Sequence, residues 1–197
     1  MGDLPPLGQH VSVLGQTGCG KTYWVKNTLL KAYPRVIVVD TEEYDFNDWP
    51  RVSQKRAVAL AASDRPFAVR VVAFPRENMD ELNYGILERG HDVAVYYDEI
   101  TDFGKPGSMD DGIVALARKA RKRNISVIAS TQRIQLLDKT VLANATHRIY
   151  FYCSGYDIEQ VRAYAPFLRE RISKVPYGSY RYLYQHPDGS ITVEVSQ

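Results

Sequence analysis

Short apolar segments alternate with segments of helical periodicity along most of the chain. The apolar segments are rich in β-branched side chains, which is typical of strands covered on both faces of a parallel sheet. We therefore predict strands at residues 11–14, 35–40, 67–73, 93–97, 125–130 and 148–152. Apolar positions three or four residues apart predict helices at residues 23–32, 57–62, 79–90 and 113–123.

The order of these segments indicates the fold class. Parallel strands need crossover connections, and right-handed crossovers place helices on both faces of a mostly parallel sheet. The last segment differs, because residues 180–184 and 191–195 flank HPDGS, which contains an Asp-Gly turn signal. We therefore expect one α/β domain over residues 1–197 that ends in an antiparallel β-hairpin.

Composition limits the partners and the location. The formal net charge is only +2, so any binding of nucleic acid would have to come from local clusters of charge. The two cysteines, Cys19 and Cys153, lack metal-like spacing and fit a reducing compartment. No segment approaches the roughly 20 apolar residues that span a bilayer, and the N-terminus lacks a signal-peptide pattern. We expect a soluble protein that is not secreted.

Residues 15–22 read GQTGCGKT and match the phosphate-binding pattern G-x-x-x-x-G-K-[ST]. They lie between a predicted strand and a predicted helix, which is the context that a P-loop needs. Backbone amides would point at phosphate oxygens, Lys21 would contact the β- and γ-phosphates, and Thr22 would ligate Mg²⁺. A tight structural connection is the alternative. The pattern predicts a RecA/ASCE-like P-loop NTPase that uses ATP and Mg²⁺, with a binding loop made of Gly15, Gln16, Thr17, Gly18, Cys19, Gly20, Lys21 and Thr22.

Two adjacent carboxylates, Asp98 and Glu99, follow the predicted strand 93–97. Open α/β sheets bind ligands at the carboxyl ends of their strands, so the pair occupies the Walker B position. Asp98 would hold Mg²⁺ through a water, and Glu99 would orient and deprotonate the attacking water. Two such residues could also begin a solvated loop, but the P-loop upstream favours the catalytic interpretation.

A polar amide and a basic cluster complete the candidate chemistry. Gln132 follows the strand 125–130, where it could bridge the attacking water and the γ-phosphate or merely cap a loop. Residues 118–123 (RKARKR) hold five basic residues. They could stabilise a neighbour's γ-phosphate, attract a DNA backbone, or form a solvated helix face. We predict that Arg121, or as a second candidate Arg148, acts on the neighbouring subunit's site.

Together these motifs resemble the FtsK-HerA superfamily of DNA-pumping ATPases. The resemblance rests on GQTGCGKT, on VYYDEI, and on residues 116–157, which follow the superfamily order of a basic helix, a strand ending in Thr-Gln, an Ala/Asn-rich linker and a strand opened by Arg. It implies a ring-forming motor, usually hexameric, that threads double-stranded DNA through a central channel. A bare motor domain of this kind is most similar to the genome-packaging ATPases of membrane-containing icosahedral viruses.

The resemblance leads to a functional hypothesis. We expect an ATP-hydrolysing translocase of double-stranded DNA, without sequence preference, that packages a viral genome into a preformed capsid as a hexameric or pentameric ring. It would meet capsid or membrane proteins at a packaging vertex, in the host cytoplasm or the virion. The Gly-rich loop 102–112, whose only positive charge is Lys105, is the expected channel element, with a plain connection as the alternative. A P-loop nucleotide kinase and a nucleotide-switched assembly or secretion ATPase without DNA translocation are the other hypotheses.

Overall fold

The computed structural model describes residues 4–41, 43–105, 108–164, 168–172 and 174–195. Its strands are β1 (Val11–Leu14), β2 (Arg35–Asp40), β3 (Phe67–Val72), β4 (Ala94–Tyr97), β5 (Gly104–Lys105), β6 (Ser108–Met109), β7 (Ser126–Thr131), β8 (His147–Tyr150), β9 (Arg181–Gln185) and β10 (Ile191–Val195). Its helices are α1 (Lys21–Trp24), α2 (Gln54–Ala61), α3 (Asp80–Arg89), α4 (Asp111–Lys119), α5 (Lys139–Asn144), α6 (Gly155–Tyr164) and α7 (Arg169–Ile172). Helix α1 continues through a π-helical turn (Val25–Leu29) and a 3-10 turn (Leu30–Ala32).

The strands form an eight-stranded sheet in the order β10-β9-β8-β1-β7-β4-β2-β3. All neighbours from β8 to β3 run parallel, whereas β9 is antiparallel to both β8 and β10. The predicted α/β fold, its mostly parallel sheet and its C-terminal hairpin are therefore confirmed. Strands β5 and β6 form a separate two-stranded hairpin.

The centre of the sheet is covered on both faces. Strands β1, β2, β4 and β7 are buried along their whole length, which explains their continuous apolar sequences. Alternate residues of β4 point to opposite faces: Val95 belongs to the apolar cluster that includes Leu82 and Leu116 from α3 and α4. Tyr96 belongs to the other cluster, which includes Trp24 from α1. Two helical layers thus hold the strand ends in fixed positions.

The structure differs from the predictions in local detail. Helix α2 begins at Gln54, earlier than predicted, because the Ser53 side chain caps it by accepting from Arg56 N. Helices α5, α6 and α7 were not predicted, and α5 and α7, with six and four residues, are too short to show a clear period. The Gly-rich loop 102–112 contains the β5–β6 hairpin, and its Pro106 and Gly107 lie outside the described residues. Across the ranges given above, no helix is both long enough and apolar enough to span a bilayer.

Candidate active site

The predicted site residues come together at one edge of the sheet. Strands β1, β7 and β4 are neighbours and parallel, so the segments that follow them meet at their carboxyl ends. These segments are the loop 15–22, Gln132, and the pair Asp98 and Glu99. They enclose a cavity of about 280 Å³, which is lined by Thr17, Gly18, Gly20, Lys21, Thr22, Tyr23, Asp45, Asp98, Glu99, Ser130, Gln132 and Tyr180.

The loop 15–22 turns at glycines that have left-handed backbone angles. Gly20 has a φ of 97°, and a Cβ there would lie 2.6 Å from Cδ1 of Tyr180, so glycine is needed for both its conformation and its size. The Lys21 side chain is buried beside the cavity and donates to Gln16 O across the loop, at 3.1 Å. The loop therefore brings one cationic residue and the backbone of Gly18 and Gly20 to the cavity.

Thr22 and Asp98 lie side by side, as a Mg²⁺ site requires. Thr22 Oγ1 donates to Asp98 Oδ1 at 3.3 Å, and Tyr96 Oη donates to the same oxygen at 2.6 Å. Burial, and then the Asp98 carboxylate, raise the pKa of Tyr96 well above its usual value, so its hydroxyl remains a donor. Hydroxyl and carboxylate oxygens are the ligands that Mg²⁺ prefers, so the two side chains fit the ion.

Glu99 is held in one orientation by three donors. Thr131 Oγ1 donates to Glu99 Oε1 at 2.7 Å, Gln132 N donates to Oε2 at 3.1 Å, and Thr101 Oγ1 also donates to Oε1. Glu99 itself has left-handed backbone angles, φ 62° and ψ 69°, which cost roughly 1–2 kcal/mol in a residue with a Cβ. Such strain is common where a side chain is positioned for function.

Gln132 connects the end of β7 to the phosphate-binding loop. Its Oε1 accepts from Thr17 Oγ1 at 2.6 Å. Arg133, the next residue, is exposed and lines a second cavity of about 650 Å³ together with Gln16, Thr17 and Gln132. The sequence analysis did not single out Arg133, although it directly follows the polar pair Thr131 and Gln132.

Arg121 and Arg148 do not line the cavity of their own subunit. Arg121 follows α4 at the opposite, amino edge of the sheet, where it is exposed and donates to Asn144 O and Oδ1. Arg148 is half-buried in β8 and donates to Leu142 O at 3.3 Å. A catalytic role for either arginine would therefore have to be in a neighbouring subunit, and it stays a prediction.

Sequence reasoning missed the aromatic and acidic residues at the far side of the cavity. Tyr23, Tyr180 and Asp45 line it with the loop 15–22. Tyr177, three residues before Tyr180, lies against Gly18, with its hydroxyl 2.7 Å from the position of a Cβ there. The sequence VPYGSY, which places two tyrosines around a glycine just before the terminal hairpin, was the available signal.

Comparisons with known proteins found a relative in a phage. The chain is 29% identical over 140 residues to protein P9 of Pseudoalteromonas phage PM2, a match that covers 68% of this chain and 63% of P9. The chain thus spans less than two thirds of that relative. No protein-family model matches the sequence.

Among solved structures, the chain shares its fold with B204, the DNA-packaging ATPase from Sulfolobus turreted icosahedral virus. The TM-score is 0.76 at 18% identity, over 98% of this chain and 100% of that chain. The genome-packaging NTPase B204 of Sulfolobus turreted icosahedral virus 2, in complex with ATP-gammaS, gives a TM-score of 0.77 at 17% identity over 96% and 98% of the two chains. The resemblance to viral genome-packaging ATPases is confirmed, and at these identities it establishes the fold.

Proposed function

We propose that this chain is an ATP-hydrolysing translocase of double-stranded DNA that packages a viral genome into a preformed capsid. The observation that carries the proposal is the meeting of the loop 15–22, Asp98, Glu99 and Gln132 around one cavity. The shared fold with B204, which is described as a DNA-packaging ATPase, supports the choice of this motor over other P-loop enzymes.

Hydrolysis follows from the roles of the side chains around the cavity. Lys21 and the loop amides would hold the β- and γ-phosphates, and Glu99 would accept a proton from the attacking water. Gln132, through its contact with Thr17, would orient that water beside the γ-phosphate. Thr22 and Asp98 would hold Mg²⁺, which would supply positive charge beside the phosphates. Most of the rate enhancement would come from position and charge, because the transition state is loose.

Assembly into a ring would complete the site. Arg121 is exposed and far from its own cavity, which is what an arginine acting on a neighbour requires. Such an arginine can contribute about 10³-fold or more in rate. Arg148 is the second candidate, but its guanidinium would have to leave its contact with Leu142 O. We propose a hexameric or pentameric ring that docks on capsid or membrane proteins at the packaging vertex, in the host cytoplasm or the virion.

DNA would be held by its phosphates, without base recognition, because a motor must advance over any sequence. Two basic surfaces are candidates. One is residues 118–123, whose five basic side chains are exposed at the amino edge of the sheet. The other is Lys105 in the β5–β6 hairpin, which lines a cavity of about 420 Å³ together with Arg76. Arg76, which lies outside the loop 102–112, adds a second positive charge to this cavity, and Asp110 adds a negative one.

The alternatives predict different chemistry. A nucleotide kinase would bind a second phosphorylated substrate and would profit from arginines around it, whereas the described residues that line the cavity include no arginine. A nucleotide-switched assembly or secretion ATPase would not need a catalytic carboxylate, yet Glu99 is oriented by three hydrogen bonds beside the loop 15–22.

The test is ATP turnover, measured by phosphate release, with and without duplex DNA of random sequence. We expect DNA to increase turnover and the increase to weaken steeply with salt, since phosphate contacts release counterions. A parallel assay offers nucleoside monophosphates as phosphate acceptors. Lys21→Ala serves as the inactive control.

The outcomes separate the three hypotheses. Stimulation by duplex DNA supports the motor and contradicts both alternatives. Phosphate transfer to a nucleoside monophosphate would establish the kinase. Tight ATP binding with turnover that no DNA increases would overturn the translocase in favour of the nucleotide switch.

A further inference from the structure

The residues that would bind phosphate do not account for the tyrosine-lined end of the cavity. Gln132, whose backbone N–H donates to Glu99, meets the loop at Thr17, whereas Tyr180 lies against Gly20, closer to the other end of the loop. Lys21 contacts the β- and γ-phosphates in a P-loop, and the Thr17 end carries the hydrolytic residues. The end at Gly20 and Tyr23 is therefore where the nucleoside of a bound nucleotide would lie.

Two tyrosine rings flank this end. The rings of Tyr23 and Tyr180 have centroids 6.5 Å apart and are tilted by 58°. Both line the cavity and yet are 55% and 49% exposed, so their faces are available to a ligand. Tyr180 has a φ of 53°, which is rare for a bulky residue and marks a strained position. A strained backbone conformation persists only where surrounding contacts hold it, and such positions cluster at ligand-binding and active sites.

Asp45 is held beside the two tyrosine rings through its backbone oxygen, which accepts a hydrogen bond from Lys26. Lys26 Nζ donates to the backbone oxygen of Asp45 and to Asp48 Oδ1, and it lies 5.5 Å from the ring centroid of the buried Phe46. The segment 45–48 is thus attached to the π-helical turn that follows α1. Asp45 lines the cavity with Tyr23 and Tyr180, and the contact with Lys26 leaves its carboxylate out.

We propose that Tyr23, Tyr180 and Asp45 form a nucleoside subsite in which a purine base stacks on Tyr180. The Asp45 carboxylate accepts a hydrogen bond from a donor on the nucleoside, either a ribose hydroxyl or an exocyclic amine. Stacking favours purines over pyrimidines because a purine covers more of the ring, and it does not distinguish adenine from guanine. The subsite rests on the proposed use of a nucleoside triphosphate at this site.

The first experiment separates base binding from phosphate binding. Calorimetric titrations with Mg²⁺ compare the non-hydrolysable analogue AMP-PCP with inorganic tripolyphosphate. Tyr180→Ala should weaken AMP-PCP binding about tenfold, the loss typical of one base–aromatic stack, and leave tripolyphosphate binding unchanged. Tyr180→Phe, which keeps the ring, should bind both like the wild type.

Either of two outcomes would overturn the stacking role. One is unchanged AMP-PCP binding in Tyr180→Ala. The other is an equal loss for AMP-PCP and tripolyphosphate, which would mean that Tyr180 only supports Gly20 in the loop. Neither depends on hydrolysis or on DNA, so a failure of the translocase proposal would appear separately, in the turnover assay.

The second experiment identifies the donor that Asp45 meets. Asp45→Asn keeps the backbone oxygen that binds Lys26 and removes only the charge. If the donor is the ribose 2′-hydroxyl, the wild type should prefer AMP-PCP to its 2′-deoxy form, and Asp45→Asn should lose that preference. If the donor is the exocyclic amine, the lost preference should be that for adenine over hypoxanthine. A variant that keeps every preference of the wild type would remove Asp45 from the subsite.

Discussion

Replacing Glu99 with glutamine separates the proposed catalytic role of this side chain from its structural one. The glutamine amide can take the same position: its oxygen can accept from Gln132 N, and its nitrogen can donate to the Thr131 hydroxyl, which accepts as well as donates. The variant should therefore fold and bind ATP. It lacks only the charge and the capacity to accept a proton from water.

The two effects differ in size. Exchanging hydrogen bonds to a carboxylate for hydrogen bonds to an amide costs roughly 1 kcal/mol each, so the three part-buried bonds to Glu99 correspond to about 1–3 kcal/mol of stability. A domain whose free energy of unfolding is about 5–15 kcal/mol stays folded after such a loss. Losing a general base costs about 10²- to 10⁴-fold in rate, which is about 3–5 kcal/mol in the barrier. Catalysis should therefore fail while folding persists.

The assay combines steady-state phosphate release with thermal unfolding. For Glu99→Gln we expect turnover to fall by at least about 100-fold, unchanged affinity for AMP-PCP, and a melting temperature lower by about 2–12 °C. Glu81→Gln, which removes an exposed carboxylate from α3, is the matched control and should hydrolyse ATP normally. Turnover of Glu99→Gln within about threefold of the wild type would refute the assignment of the base.

Three further predictions concern binding, assembly and pH. Lys21→Ala should reduce ATP binding below detection by calorimetry, because Lys21 is the cation among the described residues of the cavity; binding near the wild-type level would contradict its role. Mixtures of Arg121→Ala with Glu99→Gln subunits should recover some hydrolysis if neighbours share a site, and no recovery at any ratio would count against Arg121. Burial lowers the pKa of His10 and of His147 from 6.5 to about 4, so below about pH 6.5 the unfolded chain binds protons that the native chain does not. The urea midpoint should fall between about pH 6.5 and pH 4, and a midpoint constant over this range would contradict the neutral buried state.

The parts of the site that were predictable from sequence are contiguous in the chain. The loop 15–22 fixes residue type, spacing and context within eight positions, and Asp98 and Glu99 are identified because they directly follow a buried strand. Parallel strands with crossover connections also predict that these segments meet at one edge. A short sequence pattern was sufficient to predict those parts of the site that consecutive residues form.

The rest of the site depends on contacts between distant segments. Tyr180 reaches Gly20 across 160 positions of the chain only because β9 follows β8 in the sheet. Tyr96 looks like an ordinary core residue of a buried strand, and only its side-chain direction brings its hydroxyl to Asp98. Tyrosine is common in both settings, so residue type alone carried no signal.

Strand β7 connects the basic residues 118–123, a candidate DNA-binding surface, to the proposed ATP site. It runs about 20 Å, at roughly 3.3 Å per residue, from the basic residues 118–123 to Gln132. It is buried throughout and hydrogen-bonded to β1 on one side and to β4 on the other. If β7 moved along its own axis, it would break its hydrogen bonds to both neighbouring strands. We therefore expect β7 to behave as a rigid element. In the proposed ring, a conformational change that begins at Gln132 would therefore rotate the subunit as one rigid body, and the flexibility of the assembly would lie at the contacts between subunits.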